Sequence, residues 1–314
     1  MAIKAEIMEN ITQLQKVEES RPLFNPIVIG YIVMIFVILT WSGFSLTVRA
    51  INSSPLTTAE VALIRFFIPL LLLLPFIPSR LEKIKKIRFT ECLLILLGGI
   101  PFFFFAALGA KTAPTAYMGA ILAGTVPFFV AILSWVFYRQ LFSKKQVFTL
   151  SLIIGGVLVM VLGQTSSNTN DILQGVMFLF CGSLVWAGFT LGIKQSRLDA
   201  ISIALILTIP SFFIMLFIIL LGLMPSNMAA INFSEALPFI LIQGCGTGFI
   251  AVIGYSYAVK QLGSEKASII GSLSPSITAL LAVPIFNEPL SFAIIFGIVL
   301  TTSGVILSNL ISRR

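Results

Sequence analysis

Ten apolar runs follow one another along almost the whole chain, each close to the roughly 20 residues that a helix needs to cross a bilayer. They lie near 27–49, 58–78, 91–111, 113–137, 146–164, 174–193, 200–223, 236–259, 265–286 and 292–311. In hydrocarbon every backbone N–H and C=O must be bonded within its own segment, so runs of this kind become helices. The connections are short and polar, such as "PSRLEKIKKIR", "GQTSSNTND" and "SRLD", and no stretch is left for a water-soluble catalytic domain. The expected class is an all-α polytopic membrane protein with ten transmembrane helices. Only 10% of the residues are charged, too few to cover the surface of a soluble chain of 314 residues.

A net charge of +8 would suggest nucleic acid in a soluble protein, but the placement of the cations points elsewhere. Arg80, Lys83, Lys85, Lys86 and Arg88 follow the second run; Arg139, Lys144 and Lys145 follow the fourth; Lys194 and Arg197 follow the sixth. Lys260 and Lys266 flank the turn after the eighth, and Arg313 and Arg314 end the chain. The loops after the fifth, seventh and ninth runs carry no Lys or Arg. This alternation is the positive-inside pattern and predicts both termini in the cytoplasm. Residues 1–26 are polar, mixed in charge and without an apolar core, which reads as a cytoplasmic tail rather than a signal peptide. The three cysteines have no paired spacing, and the chain has no histidine. Imidazole bases and His-ligated metals are therefore not available.

"LTWSGFSLTVR" at 39–49 returns as "LVWAGFTLGIK" at 184–194. At an offset of 145 Gly30 meets Gly175, Trp41 meets Trp186, Gly43 and Phe44 meet Gly188 and Phe189, and Arg49 meets Lys194. Further on the offset becomes 148, and Pro127 meets Pro275 while Gly156 meets Gly304. The expected organisation is one five-helix repeat over 27–164 and a second over 174–311. Five is odd, so the second half enters the membrane from the opposite side. Inverted repeats of this kind are the architecture of many secondary transporters.

"WSGFSLTVR", "TTAEVALIRFF", "LGSEKASIIGSLSPSITALLAVPIFNEPLS" and "GIVLTTSGVIL" resemble the EamA-type branch of the drug/metabolite transporter superfamily. The likeness runs over residues 27–311 in order. It implies a five-plus-five inverted fold that moves small metabolites, commonly outward. The family usually places a Glu at the start of the last helix of each half. Here the second half has Glu288, but the first has Gln140.

Candidate substrate contacts come from polar and aromatic residues inside the runs. Trp41 and Trp186 are either packing blocks or cavity walls; Ser42 and Ser45 share a face with Arg49, and Thr190 with Lys194. Ser272 and Ser276, next to Pro275, are the better-placed members of a serine ladder in the ninth run. Their hydroxyls serve a ligand or simply bond back to their own helix. Gln243, Tyr117 and Tyr257 complete the set with Arg65, the sharpest signal. An unpaired Arg in hydrocarbon is costly, so it should find water, a carbonyl or a carboxylate, with Glu60 as the near neighbour in sequence. Pro127 and Pro275 predict a matched pair of kinks, with hinges as the functional reading.

No Asp or Glu falls near the middle of any run, which disfavours cation–proton exchange, and the cations facing the membrane suit an anionic group. The expected function is secondary transport by alternating access, exporting small metabolites, amino acids or related zwitterions foremost. Exchange of phosphorylated or nucleotide-linked metabolites is the alternative on the same fold. An intramembrane enzyme is the alternative of a different class, and the scarce carboxylates and missing His leave it no converging catalytic set. No cofactor or metal is expected. Partners are a small-molecule substrate and the lipid bilayer, without nucleic acid, and a monomer satisfies the pattern. The expected location is the cytoplasmic (inner) membrane.

Overall fold

A computed structural model of the protein describes residues 25–139, 141, 143–163, 169–262 and 264–311. The expected tail up to residue 24 and Gln140 lie outside them. Every element among these residues is helical. In chain order they are α1 (Pro26–Ala50), α2 (Thr58–Ile84), α3 (Phe89–Thr112), α4 (Thr115–Tyr138), α5 (Lys144–Leu162), α6 (Thr169–Ser196), α7 (Ala200–Leu220) and α8 (Phe233–Val259). Then come α9, in two segments (Ser264–Gly271 and Ser274–Phe286), and α10 (Phe292–Ile311). Eight, α1 to α8, are long and apolar enough to cross a membrane; Ser274–Phe286 and Phe292–Ser308 are shorter apolar helices.

Local chemistry sets the helix starts. Asn25 accepts from the Ile27 amide at the head of α1, with Pro26 in the first turn, where a missing N–H costs nothing. Thr57 and Glu60 form a capping box for α2, and Ser143 and Gln146 form another for α5. The mid-span prolines do more than bend a helix. Pro127 starts the segment Val126–Tyr138 after a π-helical turn at Met118–Ala123, and Pro275 starts Ser274–Phe286 after a break at Ser272–Leu273. Each ring removes a donor and crowds the carbonyl four residues back, so the helix closes and restarts. Both restarted segments end on a left-handed residue at φ 53°, Arg139 and Asn287.

Packing is interleaved. α1 lies against α8 and α9, whereas α6 lies against α3 and α4; α5 and α10 pack on each other. At the α5–α10 contact Gly156 stands where a Cβ would come within 2.6 Å of the Gly297 carbonyl oxygen, so glycines let the two backbones touch. Phe44, Phe66, Phe102, Phe103 and Tyr117 fill the core. Phe36, Phe213, Phe217, Leu280 and Phe296 point outward and exposed, a surface that only lipid covers well. The chain is a multi-pass membrane protein.

Candidate functional site

A cavity of about 520 Å³ opens between α1, α4, α5, α6, α8, α9 and α10. Its mouth carries Leu141, Gln146, Lys194 and Ser308, at the end of the bundle where α5 begins and α6 and α10 finish. Trp41 and Trp186 both line it, as do Pro127, Thr190 and Ser272. Lys194 is exposed at the rim and forms no ion pair among the described residues. The Thr190 hydroxyl donates to the Trp186 carbonyl at 2.9 Å, which leaves its lone pairs toward the cavity as acceptors. A second recess, about 490 Å³ beside Lys83, Glu91, Arg197 and Asp199, sits among surface turns rather than between the helices.

The cavity ends on a layer of aromatic rings. Trp41 packs on Tyr255 at 5.2 Å between centroids. Trp186 packs on Phe102 at 4.4 Å, and Phe102 stacks on Phe44 at 5.6 Å. Each of the two repeated tryptophans thus leans on an aromatic ring from a helix of the other half of the chain.

The remaining sequence candidates lie off this cavity. Ser42 is fully buried, donating to the Ile38 carbonyl at 2.9 Å and meeting Ser274 across the α1–α9 contact at 3.2 Å. Ser45 is buried in α1, and Ser276 and Tyr257 are half-buried. The Tyr117 hydroxyl donates to the Met160 carbonyl and ties α4 to α5. Pro275 is buried against Gly119. Gln243 donates to Thr47 at 2.7 Å and accepts from Arg65 at 2.7 Å.

Arg65 and Glu60 do not pair. The Glu60 carboxylate is taken by the Thr57 amide at 2.7 Å, by the Ser226 hydroxyl at 2.8 Å and by the Asn227 amide. These bonds join the head of α2 to the α7–α8 loop. Five residues of helix turn the two side chains about 140° apart, and the capping role pulls Glu60 toward the end of the helix. A second tie closes the same end of the bundle. Arg49 Nε lies 3.1 Å from Glu288 Oε1, Arg49 Nη1 donates to the Ala110 carbonyl at 2.5 Å, and Glu288 Oε2 accepts from the Thr115 amide at 2.7 Å. Glu288 therefore caps α4 rather than its own helix. The cavity is open at one end and cross-braced at the other.

Reading the sequence missed Tyr255 and the rim residues Gln146 and Ser308. Tyr255 follows a π-helical stretch, Ile240–Ile250. A π turn holds more residues than an α turn, so a helical wheel drawn at the α period loses phase and selects Tyr257 instead.

Residues 28–162 and 173–310 each match the EamA-like transporter family. The chain belongs to that family. Among its relatives, "Uncharacterized transporter YvbV" of Bacillus subtilis (strain 168) is 27% identical over 242 residues, covering 74% of this chain and 77% of that one. "Uncharacterized transporter YyaM" of the same organism is 27% identical over 249 residues, covering 74% and 78%. A solved crystal structure superposes with a TM-score of 0.61 at 16% identity, over 91% of this chain and 98% of the other, and so shares the fold. The protein is a membrane transporter of the EamA-like family.

Proposed function

We propose that the protein exports small zwitterionic metabolites, amino acids foremost, across the cytoplasmic membrane by alternating access. The observation that carries this reading is the cavity between Trp41 and Trp186, open at one end and braced at the other. Its volume suits one small metabolite with a few waters. Of the described lining residues only Lys194 carries a charge, a balance that fits one carboxylate better than a phosphate. The substrate contacts in this reading are Trp41, Trp186, Tyr255, Thr190 and Ser272, with Lys194 as the entry cation.

The same reading takes the bundle as ten spans in two inverted halves. The exchange of partners between α1 and α6, the α5–α10 contact and the matched left-handed caps at Arg139 and Asn287 all support a two-fold relation. Positive charges cluster at the open end, so the cavity faces the cytoplasm and both termini lie there. Breaking the ties at Glu288 and Glu60, while the open end closes, would turn the cavity to the other side.

Release from proteoliposomes loaded with mixed amino acids and small organic acids, followed by mass spectrometry with and without a pH gradient, tests the proposal. Selective release of an amino acid, weakened by Lys194→Gln and retained by Lys194→Arg, is the expected result. Release of none of them from folded protein would remove the amino-acid reading.

A further inference from the structure

Arg65 lies about 10 Å into α2 from its N-terminus, on the far side of the aromatic layer from the open cavity. The order of contacts is continuous: Trp186 lines the cavity, Phe102 packs on Trp186, Phe44 stacks on Phe102, and the Arg65 guanidinium sits 4.9 Å above the Phe44 ring. Phe103 flanks the same cation at 5.8 Å. Arg65 is only 8% exposed, and it does not line the open cavity.

Its partners are all uncharged. Nη1 donates to Gln243 Oε1 and Thr247 Oγ1, each at 2.7 Å, and no carboxylate pairs with it among the described residues. Gln243 is itself held by Thr47, so its amide oxygen is aimed at the guanidinium. An Arg carries five N–H donors, and among the described residues the bonds from Nη1 leave those of Nε and Nη2 unspent. Neither of these nitrogens is among the sealed, partnerless polar atoms, and the residue keeps 8% exposure. A desolvated cation fixed by two neutral acceptors and two ring faces, with donors left over, is a built receptor missing its anion.

We infer that Arg65, with Gln243 and Thr247, forms a second anion station beyond the aromatic layer that takes a small monoanion: a carboxylate of the cargo or a free halide. The inference rests on the transport reading only for its place on the path; the binding itself is a property of the chain at rest. In an exporter, a cation beyond the layer would receive the substrate carboxylate as Phe102 and Phe44 move aside. A halide held there would serve as a resting counter-ion that the cargo displaces.

The test uses the full chain purified in detergent. Thermal unfolding is followed by tryptophan fluorescence at constant ionic strength, with sodium isethionate, a bulkier sulfonate, replaced stepwise by sodium chloride or sodium acetate. Saturable stabilisation by either small anion is expected, with a rise of roughly 2–4 °C at about ten times its dissociation constant. A response to acetate alone assigns the station to carboxylates, and a response to chloride alone to halide. The response should vanish in Arg65→Gln and persist in Lys86→Gln, a change at an exposed loop cation.

If Arg65→Gln does not fold, Thr247→Asp decides. It supplies the missing carboxylate, so the anion response should disappear while Tm in isethionate stays at or above that of the parent. Equal Tm in all three salts, or an undiminished response in Thr247→Asp, would overturn the inference. Amino-acid release from proteoliposomes is read separately. An anion response without such release would leave the station standing and remove the amino-acid cargo.

Discussion

Arg49 Nε and Glu288 Oε1, from residues 239 positions apart, meet at 3.1 Å and join the tail of α1 to the α9–α10 loop. Both side chains are about four-fifths buried (25% and 18% exposed), and Glu288 also holds the Thr115 amide and hydroxyl. In the transport cycle proposed above, this pair holds the far end shut. Either Arg49→Gln or Glu288→Gln should favour the opposite-facing state by about 1–2 kcal/mol, a shift of roughly 5–30-fold in the ratio of states. Cysteine accessibility at Ala110 would report the opening. The double variant should behave like either single one if the two residues act as a pair. Accessibility unchanged in all three would show that the tie does not govern the end it spans.

Tyr117 is fully buried with its hydroxyl on the Met160 carbonyl. Tyr117→Phe leaves that carbonyl short of a donor and is expected to lower stability by about 1–3 kcal/mol. Transport KM should stay at the parent value, because the side chain does not line the cavity. A raised KM with unchanged Tm would return Tyr117 to the substrate site.

Two neighbouring glycines in α5 should part company. A Cβ at Gly155 meets nothing within 4 Å, whereas one at Gly156 strikes Thr301 and comes 2.6 Å from the Gly297 carbonyl oxygen. Gly155→Ala should be neutral or stabilising by about 0.5–1 kcal/mol, from lower chain entropy in the unfolded state. Gly156→Ala should destabilise by about 1–3 kcal/mol through overpacking against α10. Thermal unfolding of the two single variants is sufficient. Similar Tm values would mean that α5 and α10 part more readily than their contact distances imply.

Asp199 caps α7 and pairs with Arg80 at 3.3 Å and Lys83 at 3.6 Å. Burial pushes its carboxyl up. Hydrogen bonds from the Ser202 amide and hydroxyl, with the charges of Arg80 and Lys83, outweigh that and hold it below the usual Asp range. A depressed folded-state pKa stabilises the fold above the unfolded pKa, about 3.9 for Asp, and that contribution is lost as pH falls through the folded value. The Tm gap between the parent and Asp199→Asn should therefore be widest at neutral pH and narrow only below about pH 4. The pair is partly solvated, so the gap should also shrink in high salt. A gap that widens on acidification would reverse the sign of the linkage.

The sequence by itself determined the solvent, the helical class and the duplication, because each is a property of local composition. Twenty apolar residues have one way to satisfy their backbone in lipid, and a phrase such as Trp-Ser-Gly-Phe at 41–44 keeps its meaning when it recurs at 186–189. It also marked Trp41 and Trp186, whose helices face the cavity along their α-periodic length. The tertiary structure decided which polar groups meet. Glu60 lies five residues from Arg65 in sequence, yet it serves the Ser226–Asn227 loop, while Arg65 finds Gln243 and Thr247 more than 170 positions away. Glu288, at the start of the last helix of the second half, caps α4 and holds Arg49. These pairings follow from how the helices interleave and where α4, α8 and α9 break from the α period. A side chain in a membrane bundle takes the partner that packing brings within 3 Å, and chain order does not encode that distance.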